Sequence, residues 1–162
     1  MKLTSSAFSH QTAIPLRYTC DGENVSPPLE WSGVPITGNA GSLVLIMDDP
    51  DAPGGTWDHW VIFNLPPNLT ALLEGVKQFP AGTKLGKNSW GRLDYGGPCP
   101  PDKQHRYFFK LFALSHRLDL PTGDTKQQIL EHMKKCRTET WSCVQAEATL
   151  IGLYARPEQK VE

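Results

Sequence analysis

The apolar runs of this chain are short, and each ends against residues that stop a strand or turn the backbone. Ser42 to Met47 lies between Gly41 and Asp48, too brief for a stable helix and of the length expected of a strand buried on both faces. His59 to Leu65 is stopped by Pro66-Pro67, which cannot donate to a ladder. His105 to Leu114 is rich in aromatics. A period of two puts His105, Tyr107, Phe109 and Leu111 on one face and Arg106, Phe108, Lys110 and Phe112 on the other. Ala146 to Tyr154 reads as the last long strand, with Ala146, Ala148, Leu150 and Gly152 facing one way. The 14 glycines and 14 prolines are spread between these runs, as in many short antiparallel strands joined by irregular loops. The pattern limits the fold to a mainly β chain, a β-sandwich with few helices.

Helix is confined to one segment. Asp124 reads as an acidic N-cap with Gln127 at the third helical position, and Ile129, Leu130, Met133 and Cys136 follow at helical spacing. Asn68 to Gly75 reads as a single turn capped by Asn68 and closed by Gly75. No repeat, charge block or low-complexity segment interrupts the 162 residues, which fit one domain, 1–162, able to bury its core without disulfides or metal.

A net charge of -1 and a pI near 6.5 argue against nucleic acid or an anionic membrane surface as partner, since both demand a basic face. No run reaches membrane-spanning length. The first residues, Met1 to Ser6, lack the apolar core of a secretory signal, so a cytoplasmic setting is the expectation. Asn24-Val25-Ser26 and Asn68-Leu69-Thr70 match glycosylation sequons and, without a signal, read as chance.

Chemistry concentrates where strands meet loops. Asp49-Pro50-Asp51-Ala52-Pro53, Trp57-Asp58-His59-Trp60 and Gly96-Gly97-Pro98-Cys99-Pro100-Pro101, running on to His105-Arg106-Tyr107, supply carboxylates, imidazoles and a phenol. If the chain stays extended through Pro50, Asp49 and Asp51 project to one side, where proximity raises the affinity of one for a proton. The alternative is a loop whose acids cap backbone N–H groups. Gly96-Gly97-Pro98 is a glycine turn whose N–H groups can approach an anion closely. Trp57 and Trp60 flank His59, as pocket wall or as core. Two carboxylates and two imidazoles are also a plausible set of metal ligands or acid–base groups. That leaves a hydrolase or metal-dependent enzyme open, although no Gly-x-Ser-x-Gly elbow, His-Glu-x-x-His or phosphate-binding glycine loop is present.

These motifs, with Tyr18-Thr19-Cys20-Asp21-Gly22 and Ser26-Pro27-Pro28-Leu29-Glu30-Trp31, resemble the phosphatidylethanolamine-binding protein family, also called Raf kinase inhibitor-like, in its bacterial branch. The resemblance runs in order from about residue 3 to 155. It implies two antiparallel sheets with Greek-key connections and one or two short helices, no cofactor, and a homodimer. It maps the family's anion pocket onto Asp49, Asp51, His59, Gly97, His105 and Tyr107, with Pro53, Trp57 and Pro98 as walls. The ligands it implies are phosphate-like or carboxylate-like groups, among them the phosphatidylethanolamine head group and phosphorylated side chains, with a protein partner such as a kinase modulated in consequence. In such a pocket the Gly97 N–H, the Tyr107 hydroxyl and a protonated His59 or His105 would donate to the oxyanion while an Asp orients the imidazole. Asp51 has a second reading as a structural residue that holds its loop. A pocket that is vestigial in a mainly structural protein is the remaining alternative.

Two departures from the family pattern stand out. Residues 136–143 read as an insertion bracketed by Cys136 and Cys143, open to a disulfide, two free thiols, or a zinc site completed by His132. Cys20 and Cys99, within the family motifs, read as reduced thiols. The other departure is the end of the chain, where a charged, unpatterned tail, 155–162, replaces the C-terminal helix that eukaryotic members carry beside the pocket, leaving that pocket more open.

Overall fold

A computed structural model describes residues 1–35, 41–136 and 142–159. Nine strands form two sheets: β1 (Lys2–Thr4), β2 (Thr12–Ala13), β3 (Leu29–Ser32), β4 (Ser42–Asp49), β5 (Trp57–Leu65), β6 (Ala71–Leu72), β7 (Lys84–Leu85), β8 (His105–Leu114) and β9 (Val144–Tyr154). The smaller sheet has the order β1-β3-β6 and the larger β2-β9-β8-β4-β5-β7. All pairings are antiparallel except that of β2 with β9. This is the mainly β, two-sheet architecture that the short runs imply. No helix among the described residues is long and apolar enough to cross a membrane.

β4 is buried along its whole length because both faces of the large sheet are covered. Leu43, Leu45 and Met47 join Phe109 and Leu111 of β8 and Leu3, Leu29 and Trp31 of the small sheet in the core between the sheets. Val44 and Ile46, pointing the other way, join Val61, Phe63, Ile129 and Met133 in a second core. Burial of each such side chain contributes about 1.5–3 kcal/mol. The second core explains α1 (Lys126–Lys135), whose buried residues are Ile129 and Met133.

Thr125, rather than Asp124, is the helix N-cap. Its side chain accepts from the Gln128 N–H while the Gln128 side chain accepts from the Thr125 N–H, a reciprocal arrangement that satisfies two otherwise unpaired donors. Of the turn expected at residues 68–75, Ala71 and Leu72 instead form strand β6, paired with Glu30 and Leu29. Gly75, at φ +66°, follows it. A neighbouring strand with open backbone groups overrides the weak local helical preference. Of the expected insertion, residues 137–141 lie outside the described residues.

One irregularity sets the site. Met47 pairs with Trp60, but the next residue, Asp48, pairs with Asp58, so His59 is an extra residue in β5. Strict alternation would put His59 on the helix-covered face with Val61 and Phe63. The bulge turns it to the other side, since an extra residue in one strand re-aims the side chains beyond it.

Candidate functional site

Asp49, His59, His105 and Tyr107 meet at one end of the large sheet, each no more than 3% exposed. Three neighbouring strands carry them: Asp49 ends β4, His105 and Tyr107 open β8 on its core-facing side, and His59 occupies the bulge of β5. The His105 ring is held at both nitrogens, Nδ1 2.7 Å from Asp49 Oδ2 and Nε2 2.7 Å from Asp102 Oδ1. A carboxylate at each nitrogen is an arrangement that an imidazolium meets with two donated bonds. The other Asp49 oxygen accepts from the Asp51 N–H at 2.8 Å, so Asp49 spans the loop and the imidazole.

His59 lies with Nδ1 2.6 Å from the Gly96 carbonyl oxygen; Nδ1 is therefore the protonated nitrogen and Nε2 is left to meet a ligand. Its ring stands edge-on to Tyr107, at 5.3 Å between centroids, and to Trp90, at 4.9 Å. Burial lowers its proton affinity below the ordinary histidine value, and the Gly96 carbonyl and the charges of Asp49 and Asp48 offset this only in part. The Tyr107 hydroxyl is buried; the Cys99 N–H lies near its oxygen, but no group among the described residues accepts its proton. Burial, with Asp49 adding to it, pushes its pKa far up, against the weaker opposite pull of the Cys99 backbone N–H. This phenol stays protonated and is a donor without an acceptor.

Asp51 turns away from this cluster. One of its oxygens accepts from the Arg106 N–H and Nε at 2.9 Å each, and the other from Nη2 at 2.7 Å. That pairing holds its carboxyl below the usual range. It ties the 50–56 loop to β8 on the outer face, the structural alternative among its two readings. The Gly97 N–H donates to Asn24 Oδ1 at 2.9 Å and is thus engaged within the protein. Pro98 is buried and Pro53 exposed. Trp60 belongs to the core, whereas Trp57 is exposed and packs edge-on against Trp90.

Comparison with known proteins supplies a name for this arrangement. The family model described as phosphatidylethanolamine-binding protein matches residues 4–144. The chain belongs to the phosphatidylethanolamine-binding protein family. It is 53% identical over 159 residues to the UPF0098 protein of Methanothermobacter thermautotrophicus, covering 96% of this chain and 99% of that one. Among solved structures it is similar to a phosphatidylethanolamine-binding protein homologue of Chlamydia trachomatis, with TM-score 0.85, 42% identity and coverage of 96% and 97% of the two chains. It is also similar to Escherichia coli YbcL, described as a member of the mammalian family, with TM-score 0.82, 28% identity and coverage of 94% and 96%.

Three features of this family member escape a reading of its sequence: the Cys20–Cys99 bond, the docking of the tail, and the parts of Asp102 and Trp90 beside the histidines. Cys20 and Cys99 are joined in a disulfide, Cα atoms 5.4 Å apart, rather than left as reduced thiols. The bond fastens the Pro-Cys-Pro-Pro loop to the Thr19-Cys20-Asp21 turn beside Tyr107, where the Cys20 N–H also donates to the Pro98 carbonyl. Arg156 pairs with Asp21 and Gln159 donates to the Pro100 carbonyl, so the start of the charged tail is docked against the same loop. Asp102 and Trp90, which touch the two histidines, lie in loops without periodicity, and only the three-residue spacing from Asp102 to His105 hints at either. The Cys136 and Cys143 sulfurs come together, as the disulfide reading of that loop expects, and the imidazole gathered with them is His116, not His132.

Proposed function

We propose that this family member is a non-catalytic binding protein that takes the oxygens of a phosphate-like group between Tyr107 and His59. The Tyr107 hydroxyl carries the reading: a fully buried phenol to which no described residue offers an acceptor leaves a donor unsatisfied, at a cost of about 1–3 kcal/mol, which an anionic acceptor removes. His59 supplies the second donor through Nε2 when it takes up a proton. His105, fixed by Asp49 and Asp102, packs behind Tyr107. Asp49 acts through His105, and the engagement of Asp51 with Arg106 favours this reading over a metal-dependent or hydrolytic one, which calls on both carboxylates. A phosphorylated small molecule and a phosphorylated residue of a protein partner such as a kinase present the same oxygens.

The test is titration calorimetry with phosphate and O-phosphorylethanolamine, and with sulfate, whose charge does not change over the range used. Burial lowers the pKa of His59 and so favours its neutral form. An anion at Nε2 favours the protonated form, so binding takes up a proton and tightens as pH falls. Sulfate affinity is expected to rise from pH 8 to 5.5, with proton uptake seen as a buffer-dependent heat. Equal affinity at both values with no proton uptake would remove His59 from the site.

A further inference from the structure

His59 is held between two rings of opposite character. Tyr107 on one side is 0% exposed, and Trp90 on the other is 40% exposed. The Trp90 indole lies against Gly96: a Cβ placed there would come within 2.7 Å of Trp90 Cε3 and Cη2 and closer still to Cζ3. Gly96 is the residue that clamps His59, donating its N–H to the His59 carbonyl at 3.1 Å and accepting from His59 Nδ1 at 2.6 Å. The clamped imidazole thus meets an indole that is itself part-exposed and rests on the one residue type that leaves it room.

The backbone under that indole is fixed by hydrogen bonds, and the ring by contacts alone. Asn88, 4% exposed, accepts from the Trp90 and Arg92 N–H groups and donates to the Asp94 carbonyl. The Ser89 N–H donates to the Asp58 carbonyl, and the Asp58 N–H to Ser89 Oγ. Among the described residues nothing accepts from the Trp90 Nε1–H. Its ring is held by Gly96, by edge contacts with His59 and Trp57, and by the Arg92 guanidinium 5.3 Å from its centroid. Such contacts are exchanged by a change of side-chain rotamer without moving the loop.

We propose that Trp90 is the gate of the anion site: its indole seals His59, swings off Gly96 to admit a ligand, and closes behind it. The proposal rests on the anion-binding reading for its function, but the seal over His59 is testable without any ligand. Gly96 provides a second way to open it. Its backbone is outside the left-handed region, so Gly96→Ala keeps both bonds to His59 while the new methyl displaces the indole.

Carbethoxylation of His59 by diethyl pyrocarbonate, followed by mass spectrometry, reads the seal in the wild type and in Trp90→Ala, Gly96→Ala and Trp90→Phe. Both alanine variants are expected to speed modification on the order of tenfold, and the phenylalanine variant to restore slow modification, because a smaller ring still covers part of the imidazole. Equal rates in all four proteins would overturn the gate. So would acceleration accompanied by loss of amide-exchange protection across β4 and β8, which marks general loosening. In stopped-flow mixing with phosphate, the alanine variants are expected to raise association and dissociation rates together, each on the order of tenfold. Unchanged rates with binding intact overturn the gating role and leave the anion reading standing. Absence of phosphate binding in every variant, with modification rates still split, overturns the anion reading and supports the seal.

Discussion

Replacing Tyr107 by Phe deletes one oxygen from a ring that is otherwise packed into the core between the sheets. Among the described residues nothing accepts from the hydroxyl, so its removal takes away an unpaid desolvation. With the Cys99 N–H near it, a net gain of about 1 kcal/mol is expected in the empty protein, at the low end for an unsatisfied buried group. For a domain of this size that is a rise of roughly 2–4 °C in Tm. Binding moves the other way. A hydrogen bond to a charged acceptor contributes about 1.5–3 kcal/mol, so phosphate affinity is expected to fall by roughly tenfold to 150-fold, since 1.4 kcal/mol is a factor of ten. Thermal unfolding with and without phosphate measures both effects: the variant melts higher alone and gains less from the ligand. A lower Tm in the empty variant, with phosphate affinity unchanged, would show that the hydroxyl serves the fold and would refute the reasoning.

The two aspartates of the Asp-Pro-Asp motif are expected to behave differently. Asp49→Ala strips a buried partner from His105 and is expected to cost about 3–5 kcal/mol, whereas Asp51→Ala breaks a half-exposed pair with Arg106 and is expected to cost at most about 1 kcal/mol; equal losses in denaturant unfolding would contradict the geometry. Cys20→Ser opens a link across 79 residues, for which chain entropy gives about 4.5 kcal/mol; unfolding midpoints that do not move on reduction or substitution would show that the bond does not form. Because burial lowers the pKa of His59, the unfolded chain takes up a proton first, so stability is lost as pH falls from 6.5 towards the folded-state value. His59→Gln is expected to flatten that part of the stability–pH curve, and an unchanged slope would count against the buried, neutral imidazole.

The sequence by itself determined the elements and most of their faces. Alternation along residues 105–114 places His105 and Tyr107 on the core side, the length of the 42–49 run marks a doubly buried strand, and Ile129 and Met133 mark the buried side of the one helix. These are consequences of local chemistry repeated at a fixed period, which one chain segment carries alone. Pairing decided the rest. His59 reaches Tyr107 only because a bulge adds a residue to β5, and that register is a property of two strands, which neither strand encodes alone. Arg106 claims Asp51 across 55 residues and Asn24 claims the Gly97 N–H across 73, while Cys20 finds Cys99, the Tyr107 hydroxyl finds no one, and Trp90 settles on Gly96. Each of these depends on which distant group arrives first at a polar atom or an open surface, and only the folded chain brings those competitors together.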